Sequence, residues 1–269
     1  MSELDLPLVM GLSAKSLALG WLTALPRLVA AFALVPIITR SVFPGLLSVS
    51  ISAGFALVAA PAIAPHLGTD ISTGAMLAIA LKECVVGLML GFMLALPFWA
   101  VELVGFLIDN QRGESISATL NPIAGHDTST LGQLFSVAFV VFVLTSGGFS
   151  RLLRILYDSY TLWPPLSFWP MLSRANASFW LSSLNSMLET MLMLSAPVVL
   201  AMLLVELGLA LVSHFAPQLQ VFFLAMPLKS ALALFVLTVY VVTMFDYLGR
   251  QFNGIAALLP RLGALLGQP

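Results

Sequence analysis

Residues 101–125 read VELVGFLIDNQRGESISATLNPIAG, and the way this stretch is read governs the rest of the chain. It begins as an apolar, helix-like run. It then passes into a polar loop carrying Asp109, Asn110, Gln111, Arg112, Gly113 and Glu114, with long hydrophobic runs on either side. Backbone at membrane depth that is not helical is tolerated only where it is buried in protein or lines a water-filled passage. The loop is therefore a candidate for lining or closing a pore.

Composition agrees with a membrane setting. Of 269 residues, 60% are hydrophobic and 9% charged, and the mean hydropathy is +1.04. Soluble domains carry about 25% charged residues, so this is an integral membrane protein. The net charge of −1 offers no basic surface for nucleic acid, and no nucleic-acid motif is present. Cys84 is the only cysteine, which excludes an internal disulfide. The N-terminus, Met1-Ser-Glu-Leu-Asp, is acidic where a signal peptide would be basic, so no cleaved leader is expected. His66, His126 and His214 are scattered, and neither a zinc-protease, serine-hydrolase nor phosphate-loop motif occurs. The chain is expected to be neither an enzyme nor a holder of a metal or cofactor.

Six long apolar runs can be read, at about 16–39, 42–64, 72–107, 131–149, 177–212 and 220–248. A spanning helix needs about 20 residues, so the first, second and fourth fit one crossing each, and the third and fifth are too long. These two contain Pro97 and Pro197. Proline removes a backbone donor and clashes with the preceding turn, so a break or kink is expected at each, raising the helix count to as many as eight. The fold class is an all-α membrane protein in one domain, residues 1–269, some of its segments broken into helical hairpins. Residues 65–71 and 213–219 read as short turns. Residues 150–176 read as a longer connection with Arg151, Arg154, Arg174 and the rigid Trp163-Pro164-Pro165. With six crossings and both termini cytoplasmic, the inner flanks hold Lys15, Arg151, Arg154, Arg174, Arg250 and Arg261, and the outer flanks only Arg40 and Arg112. That asymmetry favours cytoplasmic termini.

Eight ionisable residues lie inside the apolar runs: Arg27, Lys82, Glu83, Glu102, Glu189, Glu206, Lys229 and Asp246. Facing lipid, they would together cost about 20–28 kcal/mol, more than the net stability of most domains. They must lie near interfaces, pair with one another, or be buried against other protein. Arg27, Glu102 and Glu206 are the candidates for buried assembly charges. Gly87 and Gly91 form a G-x-x-x-G pattern that lets two helix backbones approach closely. A second unusual stretch, QLQVFFLAMPLKS at 218–230, runs aromatic and methionine side chains into a proline and a lone lysine. Phe222, Phe223 and Met226 are suited to a deformable apolar constriction, beside Pro227 and Lys229. Ordinary helix packing with a kink at Pro227 accounts for the same residues equally well.

These two stretches resemble the SctT/FliR family, the export-apparatus proteins of type III secretion systems and of the related flagellar exporter. The resemblance rests on ELVGFLIDNQRG at 102–113 followed by Asn121-Pro122 and Gly125, and on VFFLAMPLKS at 221–230. It extends over essentially the whole chain, and the pattern is closer to the virulence-type branch than to the flagellar one. The resemblance implies a helical export gate in the inner membrane, built with several copies of SctR-like and SctS-like subunits. A SctU-like switch protein wraps its entrance, and unfolded protein substrates pass through its centre. It also implies that many apolar helices face protein instead of lipid. In the same family the loop from about Asp109 to Thr130 is a pore plug, with Asp109, Asn110, Gln111, Arg112, Gly113, Asn121, Pro122 and Gly125 as its key positions. The residues suit that task on physical grounds: Gly113 and Gly125 permit hinge conformations, and Asp109 and Arg112 at i,i+3 can latch the loop to the preceding helix.

Two other classes fit part of the sequence. A small proton-coupled secondary transporter would use Glu102, Glu206 and Lys229 as a relay, and usually carries an internal repeat; none is visible. A membrane scaffold without a share in the pore would be insensitive to changes in the loop and sensitive at Gly87 and Gly91.

Overall fold

The computed structural model describes residues 13–37, 45–67, 72–113, 129–167, 174–215, 221–257, 260 and 262–263. All regular structure among them is helical: α1 (Ala14–Leu34), α2 (Gly45–Ile63), α3 (Thr73–Arg112), α4 (Thr130–Thr145), α5 (Gly148–Leu162), α6 (Arg174–Phe215) and α7 (Val221–Asn253). Short 3-10 turns follow α2 at Ala64–His66 and α7 at Gly254–Ala257. Five of these helices are long and apolar enough to cross a membrane, or six spans if α4 and α5 together form one.

The helices divide between two compact units. The first comprises Met1–Ala95, Gly147–Phe179 and Gly254–Pro269; the second comprises Leu96–Ser146 and Trp180–Asn253. Helix α3 supplies residues to both.

Small residues set the crossings of the first unit. A Cβ on Gly20 would stand 2.7 Å from the Ala60 carbonyl oxygen, so α1 and α2 touch backbone to backbone there. Across α1, a Cβ on Gly87 would lie 2.2 Å from the Arg27 carbonyl oxygen, and one on Gly91 2.6 Å from that of Ala31. The G-x-x-x-G pattern thus serves an intrachain contact between α1 and α3. Phe32, Phe55 and Phe149 cluster with ring centroids 5.7–6.5 Å apart. Polar tips close on backbone carbonyls: Trp21 Nε1–H donates to Ala53 (2.9 Å) and the Tyr157 hydroxyl to Phe55 (3.1 Å). In the second unit Phe98, Phe139 and Phe252 meet edge to face at 5.0–6.1 Å.

Two expectations are corrected here. Pro97 and Pro197 do not divide their helices: α3 runs through 40 residues and α6 through 42 without interruption. Proline frees one carbonyl, a loss that surrounding protein offsets in membrane helices. The surroundings of Pro97 are well packed, with Leu94, Ala95 and Phe98 all buried, whereas Pro197 is itself exposed. The described residues therefore hold seven α-helices, not eight. The second correction concerns 150–176, where a connection was expected and α5 occupies most of the first half. Gly147 adopts a left-handed φ of 73° and starts the helix after α4, and Trp163-Pro164-Pro165 ends it. Leu152, Ile155, Leu156, Ser159 and Tyr160, at helical spacing, form its buried face.

Candidate functional site

The polar stretch after α3 begins later than the sequence suggests. Asp109, Asn110, Gln111 and Arg112 form the last turn of α3, and only Gly113, with φ 91°, leaves the helix. Asn121, Pro122 and Gly125 lie outside the described residues. What the structure does describe is the two helix ends that flank residues 114–128.

Asp109 organises that base. Its carboxylate, 3% exposed, is ion-paired to Arg112 on the same turn. Its Oδ2 accepts from the Ser129 hydroxyl at 2.6 Å and from the Leu131 N–H at 2.8 Å. Ser129 caps α4, its Oγ accepting from the Gly132 N–H at 2.8 Å. An anionic acceptor at the first turn of α4 satisfies a backbone donor that the helix leaves free and complements the positive end of its dipole. Just below, α3 and α4 cross with no room for side chains: a Cβ on Gly105 would stand 2.4 Å from the Gly132 nitrogen. The end of α3 and the start of α4 are thus held together by Asp109 and by a glycine crossing.

The charges in the apolar helices are mostly met within the chain. Arg27 and Glu83 are fully buried. The guanidinium forks onto the carboxylate, Nε to Oε2 at 2.6 Å and Nη2 to Oε1 at 3.0 Å. It also donates to the Ser159 hydroxyl (3.0 Å) and the Trp163 carbonyl (2.8 Å), and stacks 4.1 Å from the Tyr160 ring centroid. The Tyr160 hydroxyl donates to the Ala24 carbonyl at 2.9 Å. Lys82 adds a second cation, its Nζ 2.6 Å from Glu83 Oε1. The same ammonium donates to the carbonyls of Pro164, Pro165 and Ser167 at 3.0–3.3 Å. This cluster fastens α1, α3, α5 and the turn after α5.

Elsewhere Lys229 pairs with Glu206 at 3.0 Å, Asp246 with Arg250, and the Asn185 amide donates to Glu189 at 2.5 Å. Of the three candidate buried charges, only Arg27 is enclosed. Glu206 keeps 55% of its side chain exposed, and Glu102 is exposed on the surface of α3. On the chain alone those two are not buried, because their helices leave those faces uncovered. Met226 is half-buried and Pro227 exposed, inside a helix that runs unbroken through the proline. Phe222 and Phe223 lie in the first turn of α7, and their side chains are outside the described residues. No group of three or more metal-ligating side chains is found among the described residues.

The sequence reading did not anticipate Ser159, Tyr160 and Trp163 as partners of Arg27, nor Ser129 and Leu131 as partners of Asp109. Ser129 did carry a signal: a serine directly before an apolar run is a helix cap.

Residues 18–255 match the family described as bacterial export proteins, family 1. The chain is 36% identical over 243 residues to the Yop proteins translocation protein T of Yersinia pestis, covering 88% of this chain and 93% of that protein. It is 36% identical over 167 residues to the surface presentation of antigens protein SpaR of Salmonella typhimurium, 62% of each chain. With the flagellar biosynthetic protein FliR of Escherichia coli the identity is 27% over 250 residues, 90% of this chain and 93% of that one.

Proposed function

We propose, because the chain belongs to family 1 of the bacterial export proteins, that it is a core subunit of a type III secretion export gate. The family is one of secretion-apparatus components and not of enzymes, and its apolar helices make this chain a multi-pass protein of the bacterial inner membrane. The observation that carries the proposal is the extent of the match, which takes in both units and includes the base of the polar loop and the start of α7. Identity to translocation-type relatives exceeds that to flagellar ones, so the system is the virulence type.

In this reading the chain joins SctR-like and SctS-like subunits around a channel for unfolded secreted proteins, with a SctU-like switch protein at the cytoplasmic entrance. Segment 109–130 plugs the channel in its closed state, and Asp109 fixes the roots of the plug. The termini are cytoplasmic. Helix lengths support a multi-subunit setting: at about 1.5 Å per residue α3 is roughly 60 Å long, twice the ~30 Å hydrocarbon core. Exposed leucines nevertheless run along α6 from Leu181 to Leu211, further than a bilayer alone covers.

The transporter reading gains nothing from the geometry. Lys229 and Glu206 pair with each other, and Glu102 makes no hydrogen bond to either among the described residues. A scaffold assembled through Gly87 and Gly91 is equally unsupported, since that face packs on α1 of the same chain.

The test is purification of the tagged chain from its native host in mild detergent, followed by native mass spectrometry. Recovery with several copies of two other small apolar proteins is expected. A monomer or homodimer alone, in detergent that preserves such assemblies, overturns the proposal.

A further inference from the structure

Two consecutive prolines give the turn after α5 an excess of acceptors. Pro164 and Pro165 carry no N–H, and the N–H groups of Trp163 and Ser167 are spent on the carbonyls of Ser159 and Pro164. The turn therefore draws on cations from other helices. Arg27 of α1 donates to the Trp163 carbonyl. Lys82 of α3 donates to those of Pro164, Pro165 and Ser167 at 3.0, 3.0 and 3.3 Å. The Trp163 ring closes one side, its centroid 5.7 Å from the ammonium, and its own Nε1–H donates to the Ser167 carbonyl at 2.9 Å.

Glu83 does not need Lys82 for neutrality. Arg27 already matches its charge and forks onto both carboxylate oxygens, so the ammonium takes the cluster to a net charge of +1. What holds this second cation is a shell of oxygens: Glu83 Oε1 at 2.6 Å and the three carbonyls. The Lys82 side chain is only 9% exposed, so these oxygens stand in for most of its water. Magnesium and calcium need oxygens at about 2.0–2.6 Å, closer than the three carbonyls come. Their distances suit a singly charged ion of the size of ammonium or potassium. Pro164 and Ser167 are exposed, which leaves the shell a side open to solvent.

We propose that Lys82 is a tethered cation in a monovalent-cation site, and that the same oxygens take up free ammonium or potassium when the tether is cut back. Lys82 is then a positioning residue: its charge organises the turn at 163–167, and neither proton transfer nor the neutralisation of Glu83 is its task. This holds for the chain by itself and does not depend on the gate reading.

The experiment uses the full chain in detergent. K82A opens the shell, and K82M fills it with an apolar side chain of similar length. Both are expressed, purified and heated in ammonium or potassium chloride and, at equal ionic strength, in tetramethylammonium chloride, whose cation is too large to enter. Loss of the charge-assisted hydrogen bonds should lower Tm by about 4–8 °C in both variants in tetramethylammonium. Ammonium and potassium should restore most of that loss in K82A, with a Tm that climbs with their concentration, and none of it in K82M. Wild-type Tm should not distinguish the three salts. The proposal is overturned if K82A responds equally to all three, if K82M is restored as K82A is, or if K82M keeps the wild-type Tm. Failure to recover folded K82A even in ammonium or potassium overturns it too, because a shell that accepts the free ion would rescue folding.

Discussion

Glu83 and Asp109 lie on the same helix and are both buried carboxylates, yet their partners make them different devices. Glu83 receives two cations, Arg27 and Lys82, and through them the turn at 163–167. Its partners all lie in helices or in that ordered turn, so nothing it holds can leave without unpacking the first unit. Asp109 receives Arg112 from its own turn, and Ser129 and Leu131 from the start of the next helix. It holds only the two roots of a segment whose interior lies between them. A carboxylate shared by distant cations acts as a staple of the fold; one that caps a neighbouring helix acts as a local clamp, separable from the core.

The sharpest way to break this comparison is E83A. It leaves two buried cations without their anion, and a loss of about 3–5 kcal/mol is expected, read as a large fall in thermal unfolding temperature in detergent. The double variant R27L/E83L should be distinctly more stable than E83A, because apolar residues of similar volume often replace a buried pair without penalty. Next come the two helix crossings. G91V and G105V each place side-chain atoms against backbone, at Ala31 and Gly132 respectively. Each should lose about 1–3 kcal/mol or more, with G91V lowering recovery of folded chain at least as much as G105V.

D109A should lose about 1–3 kcal/mol, the penalty for leaving buried donors without an acceptor. It should also increase hydrogen exchange at the first amides of α4 while those of α1 stay protected. Equal exchange in both helices would erase the distinction between clamp and staple. The smallest effect belongs to R250A, whose exposed i,i+4 partner is Asp246; about 0.5 kcal/mol or less is expected in a denaturation series.

Much of this architecture could be read from hydropathy, because each apolar run maps onto a helix within a few residues. No helix break occurs at Pro97 or Pro197, although the local cost of proline is real, because both helices run through it without interruption. Helix α5 was hidden by its arginines and by Trp163-Pro164-Pro165, although Leu152, Ile155, Leu156, Ser159 and Tyr160 carry a plain helical period. At the site, the Asp109–Arg112 pair was legible because i,i+3 neighbours share a helix face, but both residues lie within α3, so the pair does not latch a loop to that helix. The closure of Asp109 onto Ser129 and Leu131 was not legible, since no spacing rule links residues 20 and 22 positions apart. The Arg27–Glu83 pair was illegible for the same reason: both charges were evident, but their meeting depends on α1 and α3 crossing at Gly87 and Gly91.

The measurement that tests the central claim most directly is the ion permeability of membranes containing the assembled apparatus, with and without residues 113–125. The account predicts that the deleted form assembles to wild-type levels, because Asp109 and the Gly105–Gly132 crossing lie outside the deletion, and that it leaks small ions. Wild-type permeability from a fully assembled deletion variant would contradict the plug and leave segment 109–130 a structural connection.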